Sequence, residues 1–420
     1  MPDLTQLRDE LALLEDDVVT LGRYRLLEAL AATSYSEKLA HAEAASRLLD
    51  AAYTLQQFSW RQYHAMRRRV AWSAAANPEL LGLIEGGSVD RDAVMAKVAS
   101  VEAMALARGE ALLQSCRSDL ALAPVERVVP DLLRLLQSVC GRHDAAPASV
   151  SAGTGVYRPR AEVRRTVVGP RRTSVDPMFQ PTYSSLAYAA PKYGDRLHEA
   201  LPYYWTLATR EAMASDSCAL SATEYDGLPL DFYRDMGKQC WDEARHAVLF
   251  CEFCRAMAPV LQAELPQDSA LAITLERFVR TGTGLPIPRE GNFYEVLWLA
   301  DLVERLILMQ VETEAPAVRT LARRAGDRLC SRFPAFRQLV QIDRNDEISH
   351  ARIGHRWLRF LVPDATDRKQ RRENTALLRG VLFASVLAQN EGVELSDVIA
   401  TFGSAVGRAR MPKSLDPVLA

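Results

Sequence analysis

Two copies of Glu-x-x-His, Glu243 to His246 and Glu347 to His350, lie 104 residues apart in stretches that read as helix. On an α-helix, positions i and i+3 project from nearly the same side, so one carboxylate and one imidazole can grip a single ion together. A four-helix bundle completes such a site with one inward Glu from each of two further helices, and two metals then share the carboxylates. The chemistry this spacing points to is dinuclear metal binding. The elements that must deliver it are long helices with acids set into their apolar faces.

Four helical segments are expected at approximately 197–224, 230–262, 292–325 and 334–361. The turn formers Asp226-Gly227-Leu228-Pro229 and Thr281-Gly282-Thr283-Gly284-Leu285-Pro286 separate them. The second connection is the longer, which predicts one crossover. In the second segment Met236, Cys240, Glu243, Ala247, Phe250 and Cys254 recur at steps of three and four, so Glu243 lies inside an apolar stripe. A buried carboxylate is costly without a partner, and a metal is a partner that also explains a His on the next turn. In the first segment the stripe Tyr204, Leu207, Ala208, Glu211, Ser215, Cys218, Ala222 puts Glu211 in the same position, 32 residues before Glu243. That distance is one helix, a turn and half a helix back to the same level. In the fourth, Val340, Glu347, Ala351, Gly354 and Leu358 run beside His350.

The third segment offers Glu304, Glu312 and Glu314. Glu314 extends the stripe Ala300, Val303, Ile307, Val311 toward Val318 and Leu321, and its 33-residue separation from Glu347 nearly mirrors the 32 between Glu211 and Glu243. Glu314 is therefore the expected ligand, with Glu304 the first alternative. Pro316 removes a backbone donor and should kink or open this helix beside the metals. The expected metal set is Glu211, Glu243, His246, Glu314, Glu347 and His350, the four glutamates also carrying the catalytic role. Asp242 and Asp346 each precede a motif Glu and are expected to hold an imidazole N–H, from their own helix or across the bundle, fixing the tautomer that leaves the other nitrogen for metal.

The remaining chain divides into a helical bundle or hairpins over 1–142, an Arg/Pro-rich linker or wrap over 143–195, the metal-bearing bundle over 196–362, and a C-terminal helix and tail over 363–420. Helices are expected near 3–31, 36–68, 91–117, 124–141 and 370–390. The N-terminal part contains His41 and His64 but no Glu-x-x-His, so no second metal centre is expected there. Arg158, Arg160, Arg164, Arg165, Arg171 and Arg172 cluster in the linker and are expected to lie against acids of the metal-bearing bundle. Cys251 and Cys254 form C-x-x-C without a second pair, which reads as small buried residues on a helix.

A net charge of −2 gives no global drive toward nucleic acid or an anionic membrane, so neither is an expected partner. The start Met1-Pro2-Asp3-Leu4 runs into charges instead of a leader, and no uninterrupted apolar run reaches spanning length. Seven cysteines spread through helical sequence suit a reducing compartment. A soluble, cytoplasmic protein is expected, with homodimerisation left open.

The segments Asp231-Phe232-Tyr233-Arg234-Asp235, Asp242-Glu243-Ala244-Arg245-His246 and Asp346 to Trp357 resemble the ferritin-like di-iron carboxylate superfamily, and more closely a bacterial ferritin-like family of unknown function. The resemblance covers about 150–365 and implies an all-α, ferritin-like four-helix bundle with a dinuclear site, plus a separate N-terminal helical region. It departs at Thr209, where such proteins often carry a His two residues before the Glu. The implied activity is that of a di-iron oxidase or oxygenase: two Fe ions, with Mn/Fe or Mn as variants, and O2 as co-substrate oxidising a small organic molecule in a biosynthetic pathway. Electrons would come from an external donor or the substrate, since no dinucleotide fingerprint is present. The alternatives are a ferroxidase or structural metal protein without organic substrate, and a helical interaction protein with a vestigial site.

Overall fold

Long runs with apolar residues at steps of three and four and almost no internal Gly or Pro commit most of this chain to helix. The computed structural model describes residues 4–32, 34–61, 91–117, 123–139, 164–165, 182–183, 197–267, 270–281, 286–287, 297 and 300–375. The described chain is all-α. Its helices are α1 (Leu4–Ala31), α2 (Tyr35–Arg61), α3 (Arg91–Arg117), α4 (Ala123–Val139), α5 (Leu197–Glu224), α6 (Leu230–Glu264), α7 (Ala270–Thr281), α8 (Leu302–Leu306), α9 (Ala315–Arg324), α10 (Arg328–Arg332) and α11 (Pro334–Leu361). A further helix covers 365–375. Two minimal ladders accompany them: β1 (Arg164–Arg165) pairs antiparallel with β3 (Tyr225–Asp226), and β2 (Thr182–Tyr183) pairs parallel with β4 (Pro286–Ile287). Among the described residues no helix is long and apolar enough to cross a membrane.

The chain forms two compact units. The first takes Met1–Ala32, Ser36–Gly169 and Cys218–Trp241; the second takes Thr33–Tyr35, Pro170–Ser217 and Asp242–Ala420. In the first unit α1 packs on α3, and α3 on α4. Its buried cations are answered locally: Arg23 donates to the Thr223 carbonyl at 2.8 Å, and Arg25 pairs with Glu28 at 2.7 Å and with Glu102. His41 places Nδ1 3.1 Å from Glu28, an ion-pair role of the ordinary kind. His64 lies outside the described residues. Of the six clustered arginines, Arg164 and Arg165 form strand β1 against Tyr225 and Asp226. The other four, Arg158, Arg160, Arg171 and Arg172, lie outside the described residues.

The second unit has a dense core in which Tyr204, Trp205, Phe250, Phe278 and Phe336 are nearly or fully buried. Tyr204 sits edge-on to Phe253 and Phe336, with ring centroids 5.3 and 5.0 Å away. Helix α7 lies in the long connection that sequence reasoning left without a helix. Its Ala272, Leu275 and Phe278, at steps of three, are buried, and that spacing was the available signal. Cys251 and Cys254 are both buried and unbridged on α6, and burial pushes the Cys254 thiol well up.

The third long helix differs from expectation. A single helix over 292–325 is interrupted, because Ala300 bends and Asp301 caps a new start at Leu302. Asp301 Oδ1 accepts from the Glu304 N–H at 2.8 Å while Glu304 Oε2 accepts from the Asp301 N–H at 2.9 Å. This reciprocal capping box satisfies two otherwise orphaned donors and fixes the helix start. After α8 the backbone widens into a π-helical stretch, Ile307–Glu314, before α9 resumes. Pro316 follows immediately; its missing N–H and bulky ring disfavour a tight α-turn at that point. Opposite, Gly354 of α11 approaches Gln310 so closely that a Cβ on Gly354 would lie 2.3 Å from Gln310 Cβ. Glycine there lets α11 lie against the π segment.

Gly354→Ala is therefore expected to destabilise the protein by about 1–3 kcal/mol through overpacking between two backbones. Gly326→Ala, whose added Cβ would meet only an ordinary 3.5 Å contact, is the control and should change stability by less than about 0.5 kcal/mol. Urea denaturation of both variants checks this; equal midpoints would contradict the close approach.

Candidate metal centre

Helices α5, α6, α11 and the π segment each present acid at one level of the second unit. On α6, Met236, Cys240, Ala247, Phe250 and Cys254 are all buried, and the stripe carries Glu243 in with them, fully buried. On α11, Val340 and Leu358 do the same for Glu347 and His350. Glu211 comes from α5 and is the one partly exposed member, its side chain 15% accessible.

The two motif histidines are held in the same way from opposite helices. Asp346 of α11 receives Nε2 of His246 at 3.0 Å, and Asp242 of α6 receives Nε2 of His350 at 3.3 Å. The sequence left open whether each aspartate serves its own helix or the other, and the structure chooses the other. Arg245 spans the pair, 3.0 Å from Asp242 and 2.5 Å from Asp346. With Nε2–H engaged, each Nδ1 faces the carboxylates and has no hydrogen-bond partner.

Around those two nitrogens the acids divide. Nδ1 of His246 lies 3.7 Å from Glu211 Oε2, 3.5 Å from Glu243 Oε2 and 3.8 Å from Glu347 Oε1. Nδ1 of His350 lies 3.2 Å from Glu243 Oε1 and 3.5 Å from Glu347 Oε2. Glu243 and Glu347 thus each turn one oxygen toward each imidazole, the disposition of bridging carboxylates. Two groups of mutually close ligand atoms result, Glu211 with Glu243, His246 and Glu347, and Glu243 with Glu314 and His350, all within 4.8 Å in each group. Atoms bound to one ion at about 2.1 Å lie roughly 3.0–3.4 Å apart for right-angled to tetrahedral arrangements. His350 and Glu243, at 3.2 Å, already stand in that range, and the other separations at the two nitrogens, 3.5–3.8 Å, are wider, so an inward movement of side chains would bring them onto an ion.

Of the three glutamates in the third long helix, Glu314 joins this cluster. Glu304 is occupied in the capping box, and Glu312 accepts from Arg372 at 3.1 Å. Thr209, the departure from the resembled family, is buried two residues before Glu211 with an unpartnered hydroxyl. Asp343 and Arg324 were missed by sequence reasoning. Asp343 is buried, one helical turn before Glu347 on the stripe that includes Val340, and that i, i+4 spacing was the signal. Arg324 is buried and donates to Tyr204 Oη at 3.0 Å, with nothing in its charged surroundings in sequence to mark it.

The protonation pattern follows from crowding these groups away from water. Burial, reinforced by neighbouring carboxylates, raises the Glu314 and Glu347 carboxyls well above the usual range, and Glu211 rises likewise although His246 stands beside it. Burial alone would raise Glu243 too, but His350 and His246 beside it hold it well below. Burial would depress both imidazoles, yet Asp346, Glu211 and Glu243 push His246 well up, and Glu243 and Asp242 push His350 up to about 10. These shifts favour the protonated forms of Glu211, Glu314, Glu347 and both imidazoles and the charged form of Glu243. No family model, curated protein or solved structure matches the chain.

Ions can bind these side chains only as carboxylates and neutral imidazoles, so uptake must expel protons. His350, charged at pH 7 in the metal-free protein, contributes at least one. Mn(II) binding at pH 7 should release protons, and its affinity should strengthen as pH rises. Calorimetry in two buffers of different ionisation enthalpy measures the number released, and a value of zero would contradict the pattern.

Proposed function

We propose that this chain is a dinuclear metal protein with a ferritin-like four-helix architecture, built by α5, α6, the third long helix and α11, and that it oxidises a small organic substrate with O2. The observation that carries the reading is the pair of buried, partnerless imidazole Nδ1 atoms, each facing carboxylate oxygens, with Glu243 and Glu347 turned toward both. A cluster made only to fold would be expected to pair its donors and acceptors internally. This one leaves Nδ1 of one imidazole in each half without a hydrogen bond, an aspartate standing behind it on Nε2, so that loss of its proton turns it into a metal donor. The donor set, imidazole and carboxylate without thiolate, suits iron or manganese over softer ions.

Glu211, Glu243 and His246 with Glu347 would hold one ion, and Glu243, Glu314 and His350 the other. Two redox-active ions supply the electron transfer to O2 that no side chain provides. The protein's own contributions are positional. Asp242 and Asp346 keep the proton on Nε2 of His350 and His246, so that Nδ1 stays a donor to metal. Arg245 neutralises both aspartates in turn. Glu211, the most accessible of the carboxylates that would hold metal, would be the one with most freedom to move. The π segment places Glu314 on a widened turn, a form of helix that recurs at functional sites.

A second reading, iron handling or a structural staple without organic substrate, is favoured by the depth of the cluster: Glu243 and His350 have no exposed surface and His246 is 1% accessible. Substrate-dependent O2 consumption separates the two.

Anaerobic reconstitution with Fe(II) should give about two ions per chain by elemental analysis, and admission of O2 should produce oxygen uptake with a new visible absorption band. Glu243→Ala and His350→Ala should abolish the uptake while circular dichroism stays helical, since the apolar stripes around them remain. A stoichiometry of one or fewer, or undiminished uptake in either variant, overturns the reading.

A further inference from the structure

Asp343 stands outside the ligand set above, yet its Oδ1 lies 4.0 Å from Nδ1 of His246, the nitrogen that faces Glu211, Glu243 and Glu347. Its side chain is only 7% accessible. It precedes Glu347 by four residues and His350 by seven, so the three share one stripe of α11 and point to the same level. At 4.0 Å from Nδ1 of His246, the Asp343 carboxylate is near enough that an ion held at His246 would come within its reach after a modest side-chain movement.

The two ion positions are then unequal. Glu243 and Glu347 are common to both. The position at His246 adds Glu211 and has Asp343 beside it, whereas the position at His350 adds, among the described residues, Glu314. For a hard divalent cation, affinity follows the number of charged oxygen ligands. Resting on the dinuclear reading above, we propose that Asp343 is a further metal ligand on the His246 side and that it makes this the position that fills first. The competing role for Asp343 is to answer the charge of Arg324 without touching metal.

Mn(II) titration of the purified full-length protein, followed by the electron paramagnetic resonance signal of the free ion and by calorimetry, distinguishes these roles without any activity measurement. Wild type should bind in two unequal steps. His246→Ala should remove the tighter step and His350→Ala the weaker. Asp343→Asn, close in shape but uncharged, should weaken the tighter step by at least about tenfold, the scale on which loss of a partner lowers metal affinity. It should leave the weaker step nearly unchanged. Asp343→Ser supplies the same reading should the amide variant lose helicity. Two equal steps in wild type, loss of the tighter step in His350→Ala, or an unaltered tighter step in folded Asp343→Asn overturns the proposal while leaving the dinuclear reading intact. Absence of any Mn(II) binding by wild type overturns both.

Discussion

The reciprocal hold of each motif histidine by the aspartate of the opposite motif is the constraint on which the second unit depends. Asp242 reaches from α6 to His350, and Asp346 reaches from α11 to His246. Both bonds form only when the two helices stand at one level and one rotation, so they fix the register of α6 against α11 as well as two tautomers. Arg245 adds charge to the same seam. Because the bonds are charge-assisted and poorly hydrated, slipping either helix by a residue would leave aspartate and imidazole buried without partners. The surrounding aromatic core, from Tyr204 through Phe250 to Phe336, packs around a seam already set.

That seam explains why so many ionisable groups tolerate burial together. Glu243, Glu347, His246 and His350 would each be costly alone in an apolar interior. As a cluster they offset one another's charge, Glu243 staying charged between two raised imidazoles. The arrangement is internally compensated yet leaves Nδ1 of both histidines without hydrogen bonds. A site that compensates its charge yet leaves these nitrogens without hydrogen bonds suits a cation that displaces their protons, which is the basis for proposing metals here.

The third long helix shows how backbone irregularity can serve such a site. Asp301 and Glu304 lock its start, the π segment widens it, and Gly354 allows α11 to approach at Gln310. Glu304, Glu312 and Glu314 then have separate roles, a cap, an exposed ion pair with Arg372, and a member of the buried cluster. Three glutamates within eleven residues are alike in composition and separated only by where the backbone turns them.

Much of this was legible from the chain alone. Apolar periodicity placed α3, α5 and α11 to the residue and α6 nearly so, because local propensity and an apolar stripe determine a long helix without reference to its neighbours. The two Glu-x-x-His motifs and the acids on the stripes of α5 and α6 pointed to one level, since helical rise converts sequence separation into distance. Other features needed the third dimension. Which histidine each aspartate serves, the capped break at Asp301, the π turn and the arrival of Asp343 beside His246 all depend on a facing helix. One-dimensional spacing says which residues share a face; it carries no information about what stands opposite that face, and that is where the chemistry of this cluster is decided.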